Sequence, residues 1–201
     1  GLVSLCEALL GLKNPIELDL SNCGLSVNGV NPVAKAISAG AAVTSINCLH
    51  NPLGDGLQTI IKTFEETPRL RTLCGLEEGV EKIDWSNSGK GPVEVALLTA
   101  DLKASRAGAA IEVVAIGANP ITSEGGAILL EAIKTSKLKT IDIGKPLPLQ
   151  EPYGLDTLDM SNTKMDPGHV LLLSWWLTTE FSAAVASLNV GGANFGSVYT
   201  I

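Results

Sequence analysis

The sequence predicts an α/β solenoid: a stack of coils, each a short strand followed, where the spacing allows, by a helix. Three observations predict it. The stretch VEKIDWSNSGK at 80–90 returns in related form as PIELDLSNCGL from Pro15, VTSINCLHNPL from Val43, IEVVAIGANPI from Ile111, LDTLDMSNTKM from Leu155 and VASLNVGGANF from Val185. The second apolar anchor of the frame falls at Leu18, Ile46, Leu73, Ile83, Val114, Ile141, Leu158 and Leu188, at intervals of 28, 27, 10, 31, 27, 17 and 30 residues. Most of the long intervals also hold a segment with helical apolar spacing, as at Ile128, Leu129 and Ile133.

These repeats fit L-x-x-L-x-L-x-x-N/C-x-L, with Asn, Cys, Ser, Thr or Ala at the polar slot. A short parallel strand buries alternate side chains, and a small polar group beside it satisfies the backbone where the chain turns away. One such coil cannot bury its own apolar face, so neighbours must stack. On these residues the chain resembles leucine-rich-repeat proteins of the ribonuclease-inhibitor-like type. The resemblance implies a horseshoe with parallel strands on the concave face and helices on the convex face, over residues 1–201 as a single domain. It implies little about function, which resides in sites carried by a fold. The chain is expected to belong to a longer polypeptide or a larger assembly.

Taken in order, helices are expected after IELDLSNCGL (VNPVAKAISAG), after IDWSNSGK (GPVEVALLTADLKAS), after VAIGANPI (TSEGGAILLEAIKTS) and after Met165. Pro32, Pro92 and Pro167 are expected in first turns, where a missing N–H is tolerated, and Thr122 or Ser123 as a helix cap. The ten residues from Leu73 to Ile83 leave no room for a helix. Pro146, Pro148 and Pro152 exclude one from 141–154. Helix-less coils are therefore expected near 73–82 and 141–154.

The net charge of −7 is spread along the chain, which disfavours binding to a phosphate backbone. Charged residues make up 17%, below the usual value of about 25%, so much of the surface must be neutral or apolar. Cys6, Cys23, Cys48 and Cys74 include no C-x-x-C pair, and are expected to be free thiols packed in the core. With no N-x-S/T sequon, this favours an intracellular, non-secreted protein, in the cytoplasm or an organelle interior. The densest apolar run, Val170 to Leu177, is too short to span a bilayer.

Candidate site residues fall in two sets. The outward residues of the strands give a mildly acidic concave column: Asp19, Asn47, Cys74, Asp84, Ala115, Asp142, Asp159 and Asn189, with His50 beside it. In one register Asp142 and Asp159 are lateral neighbours, able to share a proton or hold a divalent cation; the plainer reading is two solvated carboxylates near Lys145. The second set follows from aligning the helix after Met165 with the helix after Lys90, which pairs Trp175 and Trp176 with Ala100 and Asp101. Leu171, Leu172, Trp175 and Trp176 then face outward on the convex side. The tail from Gly191 to Ile201, a partner protein or a peripheral membrane interface could cover them.

The chemical templates fail. SNSGKGP has Asp84 where a phosphate loop needs glycine, and His50 and His169 have no partner at metal-ligand or triad spacing. The sequence therefore predicts a non-enzymatic protein–protein interaction scaffold without cofactor, a structural or accessory subunit of a stable complex. The alternative is a regulatory protein acting on an enzyme, as a nuclease inhibitor or GTPase activator. The acids of the column alternate with Asn, Ala and Gly, which fits an inhibitor of a basic nuclease poorly.

Overall fold

The structure, a computed structural model, describes residues 1–196. The tail from Gly191 to Ile201, expected as one possible cover of the tryptophan helix, therefore falls partly outside the described residues, since 197–201 are not among them. Among the described residues the chain forms six α-helices and eight short strands, and the strands lie in three sheets of two, four and two. This overturns the predicted leucine-rich-repeat horseshoe. Leu18, Ile83, Val114 and Leu158, expected on one concave parallel sheet, are distributed over all three, and one strand pair is antiparallel. The chain divides into two compact units, Gly1–Val80 with Leu97–Ala110, and Glu81–Ala96 with the residues from Ile111 onward.

The first unit contains α1 (Leu2–Leu9), β1 (Ile16–Asp19), α2 (Val27–Ser38), β2 (Val43–Asn47) and α3 (Gly56–Glu66). Strands β1 and β2 are parallel, with Leu18 opposite Ile46. Helix α2 packs on α3 where Gly56 lies so close to Val30 that an added Cβ would stand 3.0 Å from it. Pro32 sits inside α2 rather than in its first turn. The segment after α3 crosses back beside β2, to which it bonds through Ile46 N–H to Thr72 O and Cys48 N–H to Leu73 O.

That return does not become a full strand. The N–H groups of Leu73 and Cys74 are taken by the carboxylate of Asp101, on the following helix α4 (Pro92–Ala104), at 2.8 and 3.1 Å. Only an isolated bridge, Asn47 to Cys74, remains of the ladder. Arginines close the ends of the helices. Arg69 donates to Ile37 O and Ala41 O at the end of α2, and Arg106 donates to Phe64 O, Thr67 O and Leu70 O at the end of α3. A guanidinium there satisfies carbonyls that lack helical partners.

The second unit contains β3 (Lys82–Asp84), β4 (Val113–Ala115), α5 (Thr122–Thr135), β5 (Thr140–Asp142), β6 (Pro146–Pro148), β7 (Thr157–Asp159), α6 (Pro167–Trp176) and β8 (Ser187–Asn189). Ile83, Val114, Ile141 and Leu147 align across the four-stranded sheet, and the first two pairings are parallel. Strand β6 runs antiparallel on β5 and occupies its free edge, so β7 pairs instead with β8 in a separate sheet. No helix lies between Glu66 and Pro92 or between Thr135 and Pro167. Among the described residues no helix is long and apolar enough to cross a membrane.

Candidate partner-binding surface

The strand column has a local explanation. Each of Asp19, Asn47, Asp84, Asp142, Asp159 and Asn189 accepts, through its side-chain oxygen, a hydrogen bond from the backbone N–H two residues on, at 2.8, 3.1, 3.2, 2.8, 2.9 and 3.0 Å. Three residues after the column position, Asn22, His50, Asn87, Ala118 and Asn162 take left-handed φ values between 50° and 58°. Short polar side chains that bond the backbone end a strand in this way, and Asn and His tolerate the left-handed region better than most residues. Asn47 and Asp142 are half-buried, and Cys74 and Ala115 are buried rather than outward; the rest of the column is exposed, as is His50.

Hydrogen bonds from Ser21 and Ser161, first through the hydroxyl and then through the backbone N–H, hold Asp19 and Asp159 below the ordinary carboxylate range. The Ser86 backbone N–H does the same for Asp84, with its hydroxyl second. Asp142 and Asp159 lie on strands of different sheets, because β6 stands on the edge of β5 that the predicted register reserved for Asp159. The lateral pairing is therefore corrected. Among the described residues no group of three or more His, Cys, Asp or Glu side chains could hold a metal ion.

The polar slot is occupied as its chemistry requires. Asn51 accepts from Cys23 N–H and Leu25 N–H and donates to the carbonyls of Leu20, Cys48 and Leu49. Asn119 repeats the pattern, accepting from Ser88 N–H and Lys90 N–H and donating to Trp85, Ile116 and Gly117. Lys90, from the failed phosphate-loop match, is buried with its ammonium 5.1 Å from the centre of the Trp85 ring. Cys6, Cys48 and Cys74 are buried, whereas Cys23 is exposed, contrary to expectation.

The tryptophan helix is rotated relative to the predicted alignment. Asp166 caps α6, accepting from Gly168 N–H and His169 N–H, while Asp166 N–H donates to His169 Nδ1. His169 Nε2 lies 3.0 Å from Ile116 O, and its ring is fully buried. That histidine heads an inward stripe of His169, Leu172, Leu173 and Trp176, at i, i+3, i+4 and i+7. Trp176 and Leu172 thus belong to the core rather than to an outward cluster. The Trp176 indole donates to Pro148 O at 2.7 Å and meets Tyr153 edge-on, with ring centres 5.7 Å apart.

The sister helix departs from the alignment too, since Ala100 and Asp101 are buried rather than outward. At α5 the expected Thr122 or Ser123 cap is replaced by Asp166, whose second oxygen accepts from Thr122 N–H at 2.7 Å. Sequence reasoning missed the roles of Asp101 and His169. A polar residue inside an apolar helical stripe was the available signal, and apolar spacing alone passes over it.

Trp175 and Leu171 remain half-buried. Trp175 borders a hollow of about 270 Å3 with Phe181, Leu149, Leu138 and Ile133, rimmed by Lys134, Ser136 and Gln150. The Trp175 indole makes no hydrogen bond among the described residues, in contrast to Trp176. Comparison with known protein families finds no family whose model matches this chain, and a search of curated proteins finds no match.

Proposed function

We propose that the chain is a non-enzymatic protein–protein interaction scaffold, a structural or accessory subunit of a larger complex, with Trp175 as its anchor. One observation carries this reading: of two adjacent tryptophans, one is packed and hydrogen-bonded in the core, while the other borders an open hollow with no partner for its N–H among the described residues. A hollow of this size takes a large apolar side chain of a partner, and Lys134 and Gln150 supply a polar rim. Aromatic anchors in such settings dominate binding energies. The strand column is not part of the proposed surface, because its side chains are engaged in ending strands.

The test compares the two tryptophans. Trp175→Ala is expected to move the protein from a high-mass fraction of native extract to its own mass, with an unchanged circular dichroism spectrum and a stability loss below about 1 kcal/mol. An unchanged fractionation profile for Trp175→Ala overturns the proposal. Trp176→Ala removes a buried ring and a hydrogen bond, and is expected to cost about 3–5 kcal/mol in denaturant titration.

A further inference from the structure

Four of the seven large apolar side chains that the described residues expose fall within the first twelve: Val3 at 57%, Leu5 at 41%, Leu10 at 47% and Leu12 at 46%. They surround α1, which packs on α2 through Cys6 and Leu9 and leaves a groove of about 200 Å3 alongside. Val3, Cys6 and Leu10 form one wall of the groove, and Pro32, Ala36 and Ala39 form the other. Val3 and Leu10 are seven residues apart and so make a ridge on one side of the helix. The small alanines opposite leave room for such a ridge.

The charges of this groove are also paired by position. Glu7 stands on the α1 wall and Lys35 on the α2 wall. Both are exposed, and neither forms an ion pair among the described residues. A surface of one charge sign would oppose one of them with a like charge. A two-fold copy of the same surface opposes each with its complement, because in an isologous contact residue i meets j and j meets i.

We infer that this groove is a self-association surface. A second copy of the chain docks on it by two-fold symmetry, with the Val3 and Leu10 ridge of each copy seated in the groove of the other. Glu7 of each copy then faces Lys35 of the other. The surface is separate from the hollow at Trp175, and the inference stands or falls independently of it.

The test is sedimentation of the purified chain from micromolar to hundreds of micromolar, with circular dichroism as the control for folding. The expected result is a concentration-dependent dimer. Leu10→Asp leaves a monomer throughout the range. Glu7→Lys and Lys35→Glu each weaken the dimer about tenfold by setting like charges face to face twice, and the Glu7→Lys/Lys35→Glu double variant restores it. A chain that is monomeric over the whole range overturns the inference. So does a dimer that Leu10→Asp leaves intact, or a double variant no tighter than the single ones.

Discussion

Asp101 has no solvent exposure and is held by the Thr72 hydroxyl at 2.7 Å and by two backbone N–H groups. Burial raises its pKa to about 6; the hydrogen bonds from Thr72, Leu73 and Cys74 oppose that shift without cancelling it. The unfolded carboxyl titrates at 3.8, so the folded chain binds this proton more tightly. The contribution of Asp101 to stability is therefore complete below about pH 4 and is lost as pH rises through about 6. Asp19, Asp84 and Asp159, lowered in the folded chain, act in the opposite sense below that window. Denaturant titrations should show about 2–3 kcal/mol of stability lost between about pH 4 and pH 7. In Asp101→Asn that slope should disappear, and an unchanged slope would assign it to another group.

At the scale of elements, the crossing of α5 and α6 depends on two glycines. A Cβ on Gly126 would stand 2.6 Å from Gly168 Cα, and one on Gly168 would stand 2.2 Å from Thr122 O. Both obstructing atoms are backbone, so neither can swing aside. Alanine gains about 1 kcal/mol of helix propensity over glycine, less than the about 1–3 kcal/mol typical of overpacking. Gly126→Ala is thus expected to lower stability by up to about 2 kcal/mol, measured as a shift in the denaturation midpoint at constant slope. A stabilised variant would show that the helices can separate at no cost. The β5–β6 hairpin is the other decisive element. Prolines at 146 and 148 suit an edge strand, since neither has an N–H to offer a further neighbour.

Across the whole molecule, burial sorts the four cysteines. Cys48 is pushed up to about 12 by burial, with the Asp101 and Asp19 charges adding to the effect, and burial also raises Cys6. A thiol reagent should titrate one cysteine in the native chain, Cys23, and four after denaturation; a second fast thiol would mean that a core has opened. Much of this molecule was legible in its residues. The strands at every expected anchor but Leu73, the helices α2, α4, α5 and α6 and the turn-ending asparagines follow from alternation, helical spacing and left-handed tolerance, which are properties of a few consecutive residues. Three decisions were not local. The single parallel sheet failed because Asp101 takes backbone donors of a would-be strand and β6 covers the edge of β5, and both depend on contacts between distant segments. Which tryptophan faces inward was set by His169 reaching Ile116 O, 53 residues away, and by the space beside Pro148. Sequence by itself determined most of the strands, turns and helices, because those preferences are local, but neither the incomplete strand at Leu73 nor the strand β6 at Pro146–Pro148. Only the tertiary structure decided how the strands are shared among sheets and which helix face is buried, because both depend on which distant groups compete for the same hydrogen bonds and the same volume.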